Sequence, residues 1–286
     1  MRHDFGVGEA IVRRWLEDGH LAPCDFRAPQ APEQFFALSG EHRAADDLDP
    51  TGFTIQSVQI SMFAYGFMIF KQRRIEPEVL DHVPPEVARP NLADLVRINR
   101  NFGGQSVLRR TLERVINPKD STTILDVGAA SGDSVSVIKA AYPLARVTAL
   151  DLHWTNLEGA PQPKLIADAF ELPFPEGSFD YVLCSLFLHH FGDEEVQQLL
   201  RGFYCVAKRA VAVCDLERHI LPYLFLPATR QIFGWNEITV ADGLKSVRAS
   251  FRVQELVAIA KAAGLSKTEA YVYRPAFRIG MIARKE

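Results

Sequence analysis

The sequence predicts an α/β protein: a doubly wound, mostly parallel sheet of seven strands, closed by an antiparallel hairpin. Three observations carry this. From about Ser121 onward, short apolar runs rich in β-branched residues alternate with stretches of helical periodicity, the pattern of parallel strands joined by helices. The runs are bounded by glycine, proline or acidic residues, as buried strands are. The last two runs, "KTEAYVYRP" and "FRIGMIARK", alternate in polarity and follow one another directly, which suits a hairpin at a sheet edge.

The elements follow in order. "TTILDVG", Thr122 to Gly128, is the first strand, ended by glycine. "SGDSVSVIKAAYP" is a helix with Val135, Ile138 and Ala141 on one stripe and Pro143 as its stop. Ala145 to Leu152, Pro163 to Ala169 and Ser178 to Ser185 are the second, third and fourth strands. "DEEVQQLLRGFYCVAK" is a helix whose apolar stripe is Val196, Leu199, Leu200 and Phe203. Arg209 to Leu216 is the fifth strand, and "RVQELVAIAKAAG" a helix capped by Gly264. Between these two lies an apolar helical insertion, about 217–250, placed to form either a lid at the carboxyl edge of the sheet or a packing helix pair. Ahead of the sheet, "ADLVRINRNFGGQSVLRRTLERV" reads as one or two helices broken at Gly103 and Gly104, and "MIFKQRRIEPEVLDHVPPE" as turn-rich and polar. The organisation expected is an N-terminal extension over 1–67, a helical lid segment over 68–120 and the sheet domain over 121–286.

Composition bounds the function. Of 286 residues, 48% are hydrophobic and 23% charged, with a formal net charge of -3; no basic face for nucleic acid is expected. Cys24, Cys184, Cys205 and Cys214 are scattered without a CxxC pair, which argues against a zinc cluster or disulfide framework and for a reduced, cytoplasmic setting. The N-terminus lacks the apolar core of a signal peptide. Thr51 to Phe70 is uncharged and long enough to span a bilayer, but Gln56, Gln59, two glycines and several hydroxyls favour a packed or peripheral segment, so no stable membrane span is expected.

The chemistry concentrates in "ILDVGAASGDS", Ile124 to Ser134. A strand delivers Asp126 and Gly128 at its carboxyl end. A turn of small residues, Ala129 to Ser131, leads to Gly132 at a helix start, where a ligand can approach the backbone and a carboxylate is favoured. The spacing is D-x-G-x-x-x-G rather than the dinucleotide G-x-G-x-x-G. An acid leading the loop repels phosphate and suits a ligand carrying both an ammonium and a carboxylate. Asp151, ending the second strand, is placed to accept hydrogen bonds from both hydroxyls of a ribose. Asp168 and Ala169, after the third, are placed for an adenine amine. Cys184, Ser185 and Leu186, ending the fourth, line the crevice where open α/β sheets bind ligands.

In "LDVGAASGD", "ALDL", "DAFELPFPEGSFDYVLCSLFLHHF" and the closing hairpin, the chain resembles the class I S-adenosylmethionine-dependent methyltransferases, over about 74–285. The resemblance implies their Rossmann-like fold, S-adenosylmethionine as cofactor and a small-molecule acceptor. "RRIEPEVLDHVPPE", "LVRINRNFGG", "DLERHILPYL" and "SVRASF" are similar to stretches of the methyltransferases found beside type III polyketide synthases, with the quinone-biosynthesis type also close, so secondary metabolism is implied. It assigns Asp126, Gly128 and Ala129 to the methionyl part, Asp151 to the ribose, Asp168 with Ala169 to the adenine and Ser185 to the sulfonium side; Gly132 and Leu152 complete the expected cofactor contacts. Ala130 stands where the family usually has glycine. The activity implied is methyl transfer to oxygen or carbon of an aromatic or lipid-like acceptor. The alternatives are a non-catalytic methyltransferase-like binding protein and nicotinamide-dependent redox chemistry, which the missing fingerprint disfavours. A homodimer stays open.

Other polar residues are read both ways. His189 and His190, in "SLFLHHFGDEE", are expected to point apart and to lack Cys or carboxylate partners at zinc spacing, so no metal is expected. Either one faces the acceptor as a base or orienter, or both close the strand end. His190 is the catalytic candidate, because the family often keeps a histidine just before the apolar residue that is here Phe191. Asp215, Glu217 and His219 face a substrate or form a solvated loop, and Arg248 binds an acidic group or forms a surface ion pair. Met68 opens "MIFKQRRIEPE", which resembles how related chains begin. Residues 1–67 are then an accessory extension, an upstream translation, or a substrate-binding or dimerisation segment.

Overall fold

The computed structural model describes residues 70–80 and 83–285. The readings of 1–67 and of the apolar stretch 51–69 lie outside the described residues. Two helices lead in, α1 (Pro85–Asn101) and α2 (Gly104–Leu112). They break where expected, at Gly103, which takes a left-handed φ of 91°. The first begins well before Ala93, inside the stretch read as turn-rich, because Pro85 falls in its first turn, where a missing N–H costs nothing.

The sheet then unfolds as β1 (Thr123–Val127), α3 (Asp133–Ala141), β2 (Arg146–Asp151), α4 (Trp154–Leu157), β3 (Lys164–Ile166), β4 (Phe179–Ser185), α5 (Asp193–Val206) and β5 (Ala207–Leu216). The insertion is two helices, α6 (Ile220–Phe233) and α7 (Glu237–Ala249); α8 (Val253–Ala262), β6 (Thr268–Tyr273) and β7 (Arg278–Arg284) close the chain. The strand order is β3-β2-β1-β4-β5-β7-β6, with β1 to β5 parallel and β7 antiparallel to both neighbours. Residues 73–285 belong to one compact unit.

Two cores explain why the central strands read as unbroken apolar runs. On one face Leu125, Val127, Val182, Val211 and Val213 pack with Leu199 and Phe203 of α5 and Leu256 of α8. On the other, Ile124, Val147, Leu183, Ala210 and Ala212 pack with Leu112 of α2 and Val135 and Ile138 of α3. Alternate residues of each strand thus serve opposite cores.

Two boundaries differ from the expectation. The third strand is only three residues long, since it is an edge strand paired to β2 alone and Pro163 has no N–H for the ladder. Helix α5 ends at Val206 because Ala207 already pairs with Phe179 of β4; helix passes into strand without a loop. Cys184 and Cys214 are free and buried. Among the described residues no helix is long and apolar enough to cross a membrane.

Candidate active site

The fold lines up Asp126, Asp151, Ser185 and Asp215 at or next to the carboxyl ends of β1, β2, β4 and β5. Their registers make them neighbours: Asp126 pairs with Leu183 and Ser185 with Cys214. The strand order reverses between β1 and β4, and such a switch point opens a crevice above the strand ends.

The loop after β1 is drawn tightly under this crevice. Gly128 and Ala129 N–H both donate to the Leu150 carbonyl (2.9 and 3.0 Å), and Gly132 N–H donates to Ala129 (2.8 Å). Gly128 and Gly132 hold φ values of 69° and 75°, which only glycine adopts freely. Space is as restrictive as conformation. A Cβ on Gly128 would sit 2.3 Å from the Phe187 ring, and one on Gly132 would sit 2.7 Å from Pro161. Over Gly128, then, it is the Phe187 ring that approaches the backbone.

Ala130 also lies in the left-handed region, at φ 43°. That costs an L-residue roughly 1–2 kcal/mol, while glycine gives back roughly 0.5–1 kcal/mol in chain entropy. Ala130→Gly should therefore raise stability by up to about 1 kcal/mol. A urea titration checks this; a loss of stability would show that the alanine methyl packs usefully.

Asp126 is 1% exposed. Ser134 Oγ donates to its Oδ2, but Oδ1 is buried without a partner. Burial pushes this carboxyl up to about 7; the Ser134 bond lowers it, and Asp151 and Asp133 raise it further. Asp151 accepts from Ala130 N–H (3.1 Å), His153 N–H (3.1 Å) and Asn156 Nδ2 (3.0 Å), so it is oriented from three sides. Leu152 beside it is an exposed apolar residue at the rim. Asp168 is exposed, its Oδ1 accepting from Phe170 N–H (2.9 Å), with Ala169 half-buried against the core.

The insertion packs against α1. Asp94 of α1 accepts from Asn236 N–H (2.8 Å) and Thr239 Oγ1 (3.0 Å) at the start of α7. Phe102 meets Phe225, Phe233 and Trp235 edge-on, at 4.8 to 6.1 Å. Asp94→Ala leaves these donors short of a partner and should cost about 1–3 kcal/mol, read by thermal melting. An unchanged melt would mean the insertion helices are held by apolar contacts alone.

Residues 73–80 strap this assembly to the histidine loop. The Arg73 guanidinium donates to the carbonyls of Ala249 (2.7 Å) and Phe191 (2.8 Å), lies 3.9 Å over the Phe251 ring and pairs with Asp193. Val79 and Leu80 N–H donate to Asp242 (2.8 and 2.9 Å). Arg248 pairs with Glu76 (3.3 Å), so it is tied into this strap.

After β4 the chain turns through Leu186, at φ 55°, into a single 3-10 turn at Leu188–His190. His189 is 4% exposed, with Nδ1 2.6 Å from Asp215 Oδ1 and its N–H on Asp215 Oδ2 (3.3 Å). Burial pulls the imidazole down, but the charge and hydrogen bond of Asp215 outweigh it and the net shift is upward. The two histidines do not point apart. Their rings lie 4.3 Å apart at 31°, because the tight turn stacks successive side chains. Nor do they lack a carboxylate: Glu78 Oε1 is 4.0 Å from His190 Nδ1, and the three residues form one cluster. Each of the three offers one ligand atom, and these atoms lie within 4.8 Å of one another. The side chain of His190 is a third exposed; partial burial and then the His189 charge hold it below its ordinary value.

The last polar group is Arg278, which opens β7 opposite Leu216 and is 6% exposed. Its Nη2 donates to Asn99 Oδ1 of α1 (3.2 Å), while Nε is buried without a partner. Burial pushes the guanidinium down to about 10, and Asp215 holds it up against that.

Residues 125–213 match a family model described as a methyltransferase domain. Over this segment the chain is similar to methyltransferase domains. S-adenosylmethionine is the cofactor of such a domain. The chain is 27% identical over 146 residues to the demethylmenaquinone methyltransferase of Thermotoga maritima, a match covering 49% of this chain and 60% of that one. It thus spans about 60% of the length of this curated relative. Two solved structures share the fold. The plantazolicin methyltransferase BpumL, bound to S-adenosylhomocysteine, is 12% identical with a TM-score of 0.56, over 82% of this chain and all of that one. A methyltransferase from Thermotoga maritima is 14% identical with a TM-score of 0.51, over 70% and 99%.

Of the residues expected to form the site, the fold gathers Asp126, Gly128, Ala129, Gly132, Asp151 and Ser185 at one sheet edge, with Leu152 at the rim. Asp168 and Ala169 stand in the turn after β3. Asp215 is buried among them, whereas Glu217 pairs with Arg274 and His219 stacks on Phe277 at 4.8 Å. The sequence reading missed the His189–Asp215 pair and Arg278. The available signals were an acid ending an apolar strand and a lone arginine opening another.

Proposed function

We propose that the chain transfers a methyl group from S-adenosylmethionine to oxygen or carbon of a small aromatic or lipid-like acceptor. The observation that carries this is the buried, unpartnered Oδ1 of Asp126 beside the Gly128–Gly132 loop. A carboxylate there is a destination for a cation, and the loop from Gly128 to Gly132 itself carries only small side chains. The residues present fit the cofactor. Asp126 would take the ammonium, Gly128, Ala129 and Gly132 the methionyl backbone, Asp151 the ribose, Leu152 a face of the adenine, Asp168 and Ala169 its amine edge, and Ser185 the sulfonium side. When bound, the cofactor supplies a methyl carbon already activated by positive sulfur.

The protein's share is alignment and exclusion of water. Holding nucleophile, carbon and sulfur in line supplies several kcal/mol of the barrier, on the order of 7 or more in favourable cases. The lid over 68–120 and the insertion 217–250 would close over the acceptor, with Phe102, Phe225, Phe233 and Trp235 giving it an apolar, aromatic lining. The curated relative is named for a quinone acceptor, which supports that class. Titration calorimetry with S-adenosylhomocysteine is the direct test: binding in the micromolar range is expected, and no heat at high-micromolar ligand sinks the reading and leaves the non-catalytic alternative.

A further inference from the structure

We infer that the acceptor reacts as an oxyanion, its oxygen lying between the buried guanidinium of Arg278 and an imidazole, His189, that Asp215 holds ready to take its proton. This rests on the methyl-transfer reading and narrows its acceptor to an acidic hydroxyl, a phenol or an enol. Two independent observations lead to it.

The first is the arginine. A guanidinium carries five donors, and Arg278, 6% exposed, spends one on Asn99 while Nε meets nothing. Burying such a cation short of acceptors is costly, and the missing acceptor is an oxygen. Asn99 belongs to α1, so this guanidinium lies where α1 meets the carboxyl end of β5.

The second is the dyad. Asp215 faces Nδ1 of His189 at 2.6 Å with both groups buried. That fixes the neutral imidazole with its proton on Nδ1 and leaves the Nε2 lone pair as the acceptor, the arrangement of a general base. The groups facing His189 are Asp215 from β5, Arg278 from β7, Glu78 from the strap and His190 from the same turn. On α7, Lys245 pairs with Asp242, and Arg248 pairs with Glu76 through Nη1 while its Nε is buried without a partner.

The balance is simple. The acceptor O–H gives its proton to Nε2, and the oxygen pair forms the new O–CH3 bond. The S–CH3 bond breaks with its electrons going to sulfur, which becomes a neutral thioether, and the proton on His189 leaves to solvent after product release.

The test uses the full chain saturated with S-adenosylhomocysteine and two probes, 4-nitrophenol and 4-nitrocatechol, whose visible bands develop only on ionisation. Just below the probe's own pKa, the wild type should bind it ionised. His189→Gln should lose that band, yet bind the phenolate normally once the pH is high enough to ionise it unaided. Arg278→Met should weaken phenolate binding roughly ten- to hundredfold at either pH, with Arg278→Lys intermediate and S-adenosylhomocysteine affinity nearly unchanged. Because Arg278→Met removes a buried group, its fold is checked by circular dichroism, and the lysine variant carries the comparison if it fails. A bound probe that stays neutral in the wild type, failure of both probes to bind, or arginine variants that bind phenolate as tightly as the wild type would overturn the inference. Failure of S-adenosylhomocysteine itself to bind would instead overturn the methyl-transfer reading.

Discussion

Asp126→Asn should weaken S-adenosylhomocysteine binding roughly ten- to hundredfold, the value of a buried hydrogen bond to a charged partner, and should make the ligand-free protein more stable in mildly alkaline buffer. The two effects have one origin. Asp126 is buried, and its carboxyl is pushed from 3.8 up to about 7. Between those values the folded chain holds a proton that the unfolded chain has released, so stability falls as pH rises. The penalty is absent below about 4 and complete above about 7. A shift of that size corresponds to something on the order of 4 kcal/mol, less whatever Asn loses at Ser134. Asn cannot ionise, so its melting temperature should overtake the wild type's as pH climbs. A ligand ammonium reverses the balance by drawing the carboxyl back to its ionised form. Wild-type affinity should therefore strengthen as pH rises towards about 7, while that of the Asn variant stays flat over the same range. Calorimetry and thermal melts across pH check both. An Asn variant that binds as well as the wild type would remove Asp126 from the cofactor site.

How far the site could be read from sequence follows from how local each signal is. Asp126 and Asp151 were legible because each ends an apolar run, and a parallel sheet puts all such ends on one edge. Gly128 and Gly132 were legible because the loop has no room for a Cβ at either. The third strand was overextended because an edge strand lacks the second partner that would hold Asp168 and Ala169 in the ladder. What could not be read was the far side of the crevice. Arg73 meets Asp193 across 120 positions, Asn99 meets Arg278 across 179, and Val79 meets Asp242 across 163. Such pairs depend on which helices fold back over which strands, and the helix packing that decides this has no periodic signature. The histidines were misread for a smaller reason. Adjacent residues diverge in a strand, but here a 3-10 turn stacks them, and the carboxylate that answers the buried one comes from the next strand, 26 residues on.

Asp215→Asn should cost about 3 kcal/mol or more near pH 6, because it removes one charge of a buried pair and leaves the other uncompensated. The loss should depend on pH in a set direction. Burial acts to raise the Asp215 carboxyl, but the His189 charge and hydrogen bond, with the Leu216 N–H at 2.7 Å, bring the net shift down. Its contribution is thus present above the ordinary value of 3.8 and lost as pH falls through the lowered one. His189 is shifted up, so its contribution is complete below the ordinary 6.5 and lost as pH rises through the raised value. The ion-pair part is therefore greatest between about 4 and 6.5 and shrinks on the alkaline side. There the neutral imidazole still donates Nδ1–H, and an Asn oxygen can accept it, so the gap should narrow towards the roughly 1 kcal/mol of a neutral hydrogen bond. It should not vanish, since Arg278 also loses the carboxylate that holds its charge in place. Melting wild type and variant from mildly acidic to alkaline buffer reads the convergence directly. A gap that stays constant with pH would mean that His189 is neutral throughout, which leaves it free to accept a proton without first losing one.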